Sequence, residues 1–156
     1  MNIKVIAVGK IKELYLKDAF KEYQKRLLPY CNFTLIEIPA EQIYDNTETE
    51  KYKEIEAEKI LNCIKDNDFV ITLEINGKMY SSENFALKLK DIINEGVNEI
   101  VFIIGGANGL HQKISDVSDL KLSFSKMTFT HQMVRIILIE QIYRAFKINL
   151  NEPYHR

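Results

Sequence analysis

The stretch "EIVFIIGGANGL", residues 99–110, runs six strand-forming residues straight into a loop that holds three of the chain's six glycines. A continuous apolar run without polar alternation suits a strand covered on both faces, as in a parallel sheet flanked by helices. Gly105, Gly106 and Gly109 then sit at that strand's C-terminal end, where open α/β sheets bind ligands. The spacing G-G-x-x-G, after a late strand, is neither the dinucleotide fingerprint nor a phosphate loop. It fits a ligand-approaching loop or a plain glycine turn.

Outward from this stretch, strands alternate with helices. "NIKVIAVG" (2–9), "FTLIEI" (33–38), "FVITLEI" (69–75) and "DLKLSFS" (119–125) read as the other strands. Helices are expected over 14–27, 49–66, 82–96 and about 130–148. "NGK" (76–78) is expected to turn the chain, with Ser82 capping the helix that follows. Five strands interleaved with helices indicate an α/β fold, a single domain over 1–156 with a mostly parallel sheet.

The composition is that of a globular protein, with 46% hydrophobic and 28% charged residues. The N-terminal apolar run is short for a signal peptide, and no apolar run approaches the roughly 18 residues of a membrane span. Cys31 and Cys63 are isolated, and His111, His131 and His155 lack metal-ligand spacing. These features predict a cytoplasmic protein without a metal or a membrane partner. The net charge of -1 is unevenly spread: residues 1–30 carry +4, residues 37–99 carry -8 and residues 126–156 carry +3. Such a chain can turn a basic face to phosphates; equally, its solvated faces simply differ. The i,i+4 stripe of Lys17, Lys21 and Lys25 is open to the same two readings.

Three further features bear on chemistry. The connection "SFSKMTFTH" (123–131) has no Gly or Pro, yet carries Phe124, Met127 and Phe129. It either tucks inward or walls an apolar cavity beside the glycine loop. The last helix is apolar nearly all round, which asks for burial on every side and points to a homodimer interface. Arg135, Glu140 and Arg144 on it must be paired or face a functional cavity, and Glu140 with Arg144 has i,i+4 spacing. The chain closes on "NEPYHR" (151–156), a frayed end by position, but one carrying an aromatic ring, a proton carrier and a cation.

"FIIGGANGL", "LSFSKMTFTHQMVRIILIEQIYRAFKI" and the closing "YHR" resemble the RlmH-type family of the SPOUT superfamily, methyltransferases acting on N3 of a pseudouridine in 23S rRNA. The resemblance covers essentially the whole chain; one departure is Thr130, where many members have Pro. It implies a C-terminal trefoil knot, a homodimer, S-adenosylmethionine as cofactor, and 23S rRNA in the ribosome as partner. Carried over, the cofactor site comprises Leu73, Gly105, Phe124, Ser125, Lys126, Met127, Thr128 and Phe129. With it go His155 as proton acceptor, Arg144 as a catalytic cation, and Tyr154, Arg156, His131 and Arg135 as substrate contacts. The tail acts either within its own chain or across the dimer. The competing reading is a non-catalytic ribosome- or RNA-binding module on the same fold.

Overall fold

A computed structural model describes residues 1–155; Arg156 lies outside the described residues. The strands are β1 (Asn2–Val8), β2 (Asn32–Ile38), β3 (Asp68–Met79), β4 (Glu99–Ile104) and β5 (Leu120–Ser123). They form one all-parallel sheet in the order β2-β1-β4-β3-β5. Ile100 to Ile104 are all buried, so the strand that opened the reading does lie under cover on both faces.

Helices α1 (Leu14–Leu27), α2 (Thr49–Leu61), α3 (Ser82–Asn94), α4 (Gln112–Asp116) and α5 (His131–Asn149) supply that cover. The larger core joins α1, α3 and α5 to one sheet face through residues such as Phe20, Leu89, Phe102 and Leu138. A smaller core joins α2 and α4 to the other face through Ala57, Ile60, Val101, Ile103 and Ile114. The molecule is thus a three-layer α/β/α domain, with its strand C-termini gathered at one end.

Several local expectations give way. "NGK" does not turn the chain: β3 continues to Met79, with a register break between Leu73 and Lys78 that leaves Leu122 paired to both. Asn-Gly is a strong turn signal, but here a bulge uses the glycine. A Cβ on Gly77 would lie 2.7 Å from the backbone of Lys121 and Leu122, so the two strands approach this closely only at a glycine. The α3 cap is Ser81, accepting from the Asn84 N–H at 3.2 Å, one residue before the expected Ser82. Helix α2 ends at Leu61, short of 66; the following turn is held where the Lys4 ammonium donates to the Cys63 carbonyl at 3.2 Å. Helix α4, one short turn and a half, was absent from the periodicity because five residues carry too little of it.

Candidate active site

The loops leaving β4 and β5, the bulge of β3 and the first turn of α5 enclose a cavity of about 720 Å³ at the strand C-termini. This lies within the range of small-molecule sites. One wall is the glycine loop, closed by a Gly109 N–H to Gly106 carbonyl bond of 3.1 Å. A Cβ on Gly105 would meet the Gly109 carbonyl carbon at 2.8 Å, so that wall is packed backbone against backbone. The opposite wall is the 123–130 loop. Its serines stand in for the missing Gly and Pro: the Ser123 hydroxyl donates to the Ser125 carbonyl at 3.1 Å, and the Ser125 hydroxyl accepts from the Met127 N–H at 3.0 Å. The Thr130 side chain then caps α5 by accepting from the Met133 N–H at 3.3 Å. Phe124 packs against the core, but the rest of the loop does not tuck inward, since Met127 is 75% exposed and Phe129 39%.

Leu73, Gly105, Phe124, Ser125, Met127, Thr128 and Phe129 all line this one cavity. Lys126 is exposed and off its wall. His131 also lines it; burial, aided by the nearby charges of Arg135 and Lys12, holds the imidazole below its ordinary value and favours the neutral form. A smaller cleft of about 260 Å³ shares Leu122, Ser123, Phe124 and Phe129 with the main cavity and extends to Ser82 and Gln141.

One acidic wall residue escaped the sequence reading. Glu74 lines the cavity, and its carboxylate makes no ion pair among the described residues. It is held from behind, where the Thr72 hydroxyl donates to Oε1 at 2.7 Å and the Ser115 hydroxyl to Oε2 at 3.1 Å. Thr72 is in turn tied to the Ser118 hydroxyl at 2.9 Å. A carboxylate accepts about four hydrogen bonds, so each oxygen keeps capacity for a further donor. Its only sequence signal was a lone acid in the apolar run "FVITLEI".

Arg135, expected at the substrate, is instead wholly buried. Its Nη1 donates to Glu37 at 3.0 Å, and its Nη2 to the carbonyls of Val8 and Gly9 at 2.8 and 3.0 Å. Glu37 also accepts from the Ile11 N–H at 3.2 Å. Arg135 therefore fastens α5 to the C-terminal ends of β1 and β2 and has no surface to offer a substrate. Apolar surroundings on a helix made it look like a functional charge; burial with several hydrogen bonds is the alternative that holds.

The C-terminal tail is not frayed through His155. The Glu152 carboxylate accepts from the Tyr30 hydroxyl and the Lys147 ammonium, each at 2.6 Å. The Tyr154 ring meets Tyr143 edge-on at 4.8 Å, lies 4.7 Å from the Arg144 guanidinium, and donates its hydroxyl to Glu140 at 3.0 Å. Burial, then hydrogen bonding to Tyr23 and Glu140, pushes this phenol's pKa up. Tyr154 is therefore held in place by its hydroxyl and by contacts with Tyr143 and Arg144, and its ring remains half-exposed. Glu140 and Arg144 form the expected i,i+4 pair.

His155 is bound on both nitrogens, to Glu83 at 2.7 Å and to Arg144 at 3.2 Å. Arginine only donates, so Nδ1 is the acceptor and Nε2 the donor to Glu83. Its own backbone N–H, then His155, holds the Glu83 carboxyl down at about 2. Arg144 stands thirteen residues after His131, about 20 Å along α5. The tail thus folds back onto the middle of α5, where Tyr154 reaches Glu140 and Tyr143 and His155 reaches Arg144. Arg156, expected at the substrate, is outside the described residues.

No group of His, Cys, Asp and Glu among the described residues could hold a metal ion, and no described helix is long and apolar enough to cross a membrane. The solved structure of "a probable methylase family protein" from Haemophilus influenzae superposes with a TM-score of 0.59 over 99% of this chain and 70% of that one, at 13% identity, which speaks to the fold alone. A curated protein of Methanococcus maripaludis, "Putative ribosomal RNA large subunit methyltransferase H", is 52% identical over the full length of both chains. The family described as "Predicted SPOUT methyltransferase" matches residues 1–155. With the all-parallel sheet and the two-loop cavity at its edge, these matches place the chain in the RlmH-type branch of the SPOUT methyltransferase family.

Proposed function

We propose that this protein, as a cytoplasmic homodimer, methylates N3 of a pseudouridine in 23S rRNA within the ribosome, with S-adenosylmethionine as cofactor. The observation that carries the reading is the cavity itself, walled by the glycine loop and the apolar loop and lacking any phosphate-binding motif. S-adenosylmethionine fits that chemistry: it has no phosphate, an apolar purine face, a ribose diol and a positive sulfonium. When bound, it supplies an electrophilic methyl group. Phe124, Met127 and Phe129 would sandwich and desolvate it, and the loop backbone would read its base edge. Glu74, preset by Thr72 and Ser115, would accept from the ribose hydroxyls, a role acids commonly take at strand C-termini. The family's trefoil knot belongs to this reading, pressing the two loops together as opposing walls.

The residues then have positional and protonic work. Alignment of acceptor and donor is the main contribution. N3 carries a proton at neutral pH, and we assign its acceptance to Nδ1 of His155, with Arg144 stabilising the developing anion. In the present arrangement Nδ1 is occupied by Arg144, so arrival of an RNA phosphate or carbonyl at that guanidinium frees the nitrogen. The tail completes a cavity either in its own chain, past the cleft at Ser82 and Gln141, or across the dimer. Half-buried Ile136 and exposed Met133, neither of them on a cavity wall, give α5 apolar surface that a second copy would bury.

The test is incubation of purified protein with S-adenosylmethionine labelled on its methyl group and with large ribosomal subunits. Label in 23S rRNA, recovered as 3-methylpseudouridine, supports the reading. Binding of subunits without transfer would return the protein to a non-catalytic RNA-binding module.

A further inference from the structure

Lys10, Lys12, Lys17, Lys21 and Lys25 are exposed, and none pairs with a carboxylate among the described residues. This differs from the lysines of the other layer. Lys51, Lys53, Lys59 and Lys113 are each matched to a glutamate on or beside α2. On α1 Glu22 pairs with Arg26 at 2.9 Å, and Glu13 and Asp18 make no ion pair among the described residues. Other exposed lysines also lack a carboxylate partner, namely Lys65, Lys78, Lys90, Lys121 and Lys126, but only on α1 do such cations follow one another along a single helix, forming a ridge.

The ridge has a direction. Lys17, Lys21 and Lys25 follow one another at about 6 Å along α1, each turned by only about 40° from the last. Lys10 and Lys12 continue it through the β1–α1 loop to the cavity. There the Lys12 N–H donates to the Gln132 side-chain oxygen at 2.8 Å, and Gln132 and His131 line the cavity. The five lysines thus lead from the rim of the candidate active site out along the helix.

The rest of the molecule sharpens the polarity. Residues 10–26 hold six bases to three acids, whereas residues 41–59 hold three bases to seven acids. Helix α1 belongs to one helical layer and α2 to the other, so the two biases fall on opposite sides of the sheet. A polyanion is drawn to the α1 side and repelled from the α2 side, although the net charge is only -1.

We infer that Lys10, Lys12, Lys17, Lys21 and Lys25 form a track for the phosphate backbone of the RNA that flanks the target nucleotide. This rests on the reading of RNA as the substrate and adds where that RNA lies. Regularly spaced flexible cations suit a polymer with a charge on every repeat. Phosphate contacts of this kind set register and orientation without reading sequence.

The experiment compares the full-length protein with the triple variant Lys17→Glu/Lys21→Glu/Lys25→Glu and its neutral counterpart with Gln at the same positions. Binding to intact large subunits and to deproteinised 23S rRNA is measured from 50 to 200 mM salt, alongside S-adenosylmethionine affinity and the melting temperature. The neutral variant is expected to lower the slope of log K against log salt by about 2 to 3 for both RNA probes, from three lost phosphate contacts. The charge-reversed variant is expected to bind at least tenfold more weakly, while cofactor affinity and melting temperature hold. Unchanged affinity and slope in both variants would overturn the track. So would weakening confined to intact subunits, which would make the ridge a contact for ribosomal protein. Failure of the parent protein to bind either probe would instead sink the rRNA function.

Discussion

Replacing Arg135 with Met separates a fastening role from a substrate role. The guanidinium is fully buried and donates to three acceptors: Glu37 and the carbonyls of Val8 and Gly9. Methionine approximates its stem but offers no donor. Glu37 is about a third exposed and can turn to water, so its loss of a partner costs little. The two carbonyls cannot turn, and an acceptor left unsatisfied costs about 1–3 kcal/mol. Against this, the desolvation penalty of the guanidinium disappears, and part of the loss is recovered. The net expectation is a destabilisation of about 2–4 kcal/mol, or roughly 5–15 °C in melting temperature for a chain of this size. Urea and thermal unfolding read the stability, and calorimetry reads cofactor and RNA affinity at a temperature where the variant is folded. Affinities within about twofold of the parent are expected. An Arg135→Met protein as stable as the parent, but with RNA binding lost tenfold, would refute the fastening role and restore Arg135 to the substrate.

Other substitutions bear on the cavity and the tail. Glu74→Gln keeps the shape but weakens the acceptor; S-adenosylmethionine should bind about tenfold more weakly by calorimetry, with a reduced penalty for a 2′-deoxyribose analogue, and equal affinity would remove Glu74 from the site. Gly105→Ala drives a methyl into the Gly109 backbone at 2.8 Å, so overpacking of about 1–3 kcal/mol should appear as a lower unfolding midpoint together with lost cofactor binding. Deleting residues 154–156 should leave cofactor affinity intact and stop methylation. Co-assembling that deletion with a cavity-dead subunit should recover activity if the tail acts across the dimer, and no recovery would place it in its own chain.

The order of strands and helices was readable because "EIVFII" carries the continuous apolar signature of a central two-sided strand, "DLKLSFS" alternates, and helical spacing separates the strands. The Glu140–Arg144 pair was readable because helical spacing is a local rule. Gly77 was not: the same Asn-Gly that makes a turn also permits a bulge, and only the neighbouring strand's position decides between them. Glu74 hid inside a strand, where one acid among apolar residues carries no spacing rule. Arg135 and Tyr154 were seen as functional because their types suit RNA, yet their partners, Glu37, Val8, Tyr143 and Glu140, lie at distances along the chain that periodicity does not link. The 123–131 loop was legible for the opposite reason, since apolar residues in a connection without glycine stand out against what loops usually contain.

The central claim is that this chain places a methyl group on N3 of one pseudouridine in 23S rRNA. Nucleoside mass spectrometry and site mapping of rRNA from cells with and without the protein tests it most directly. The account predicts a single 3-methylpseudouridine that disappears without the protein and returns with it, but not with the form deleted for residues 154–156. An identical set of rRNA modifications in both cells would contradict it.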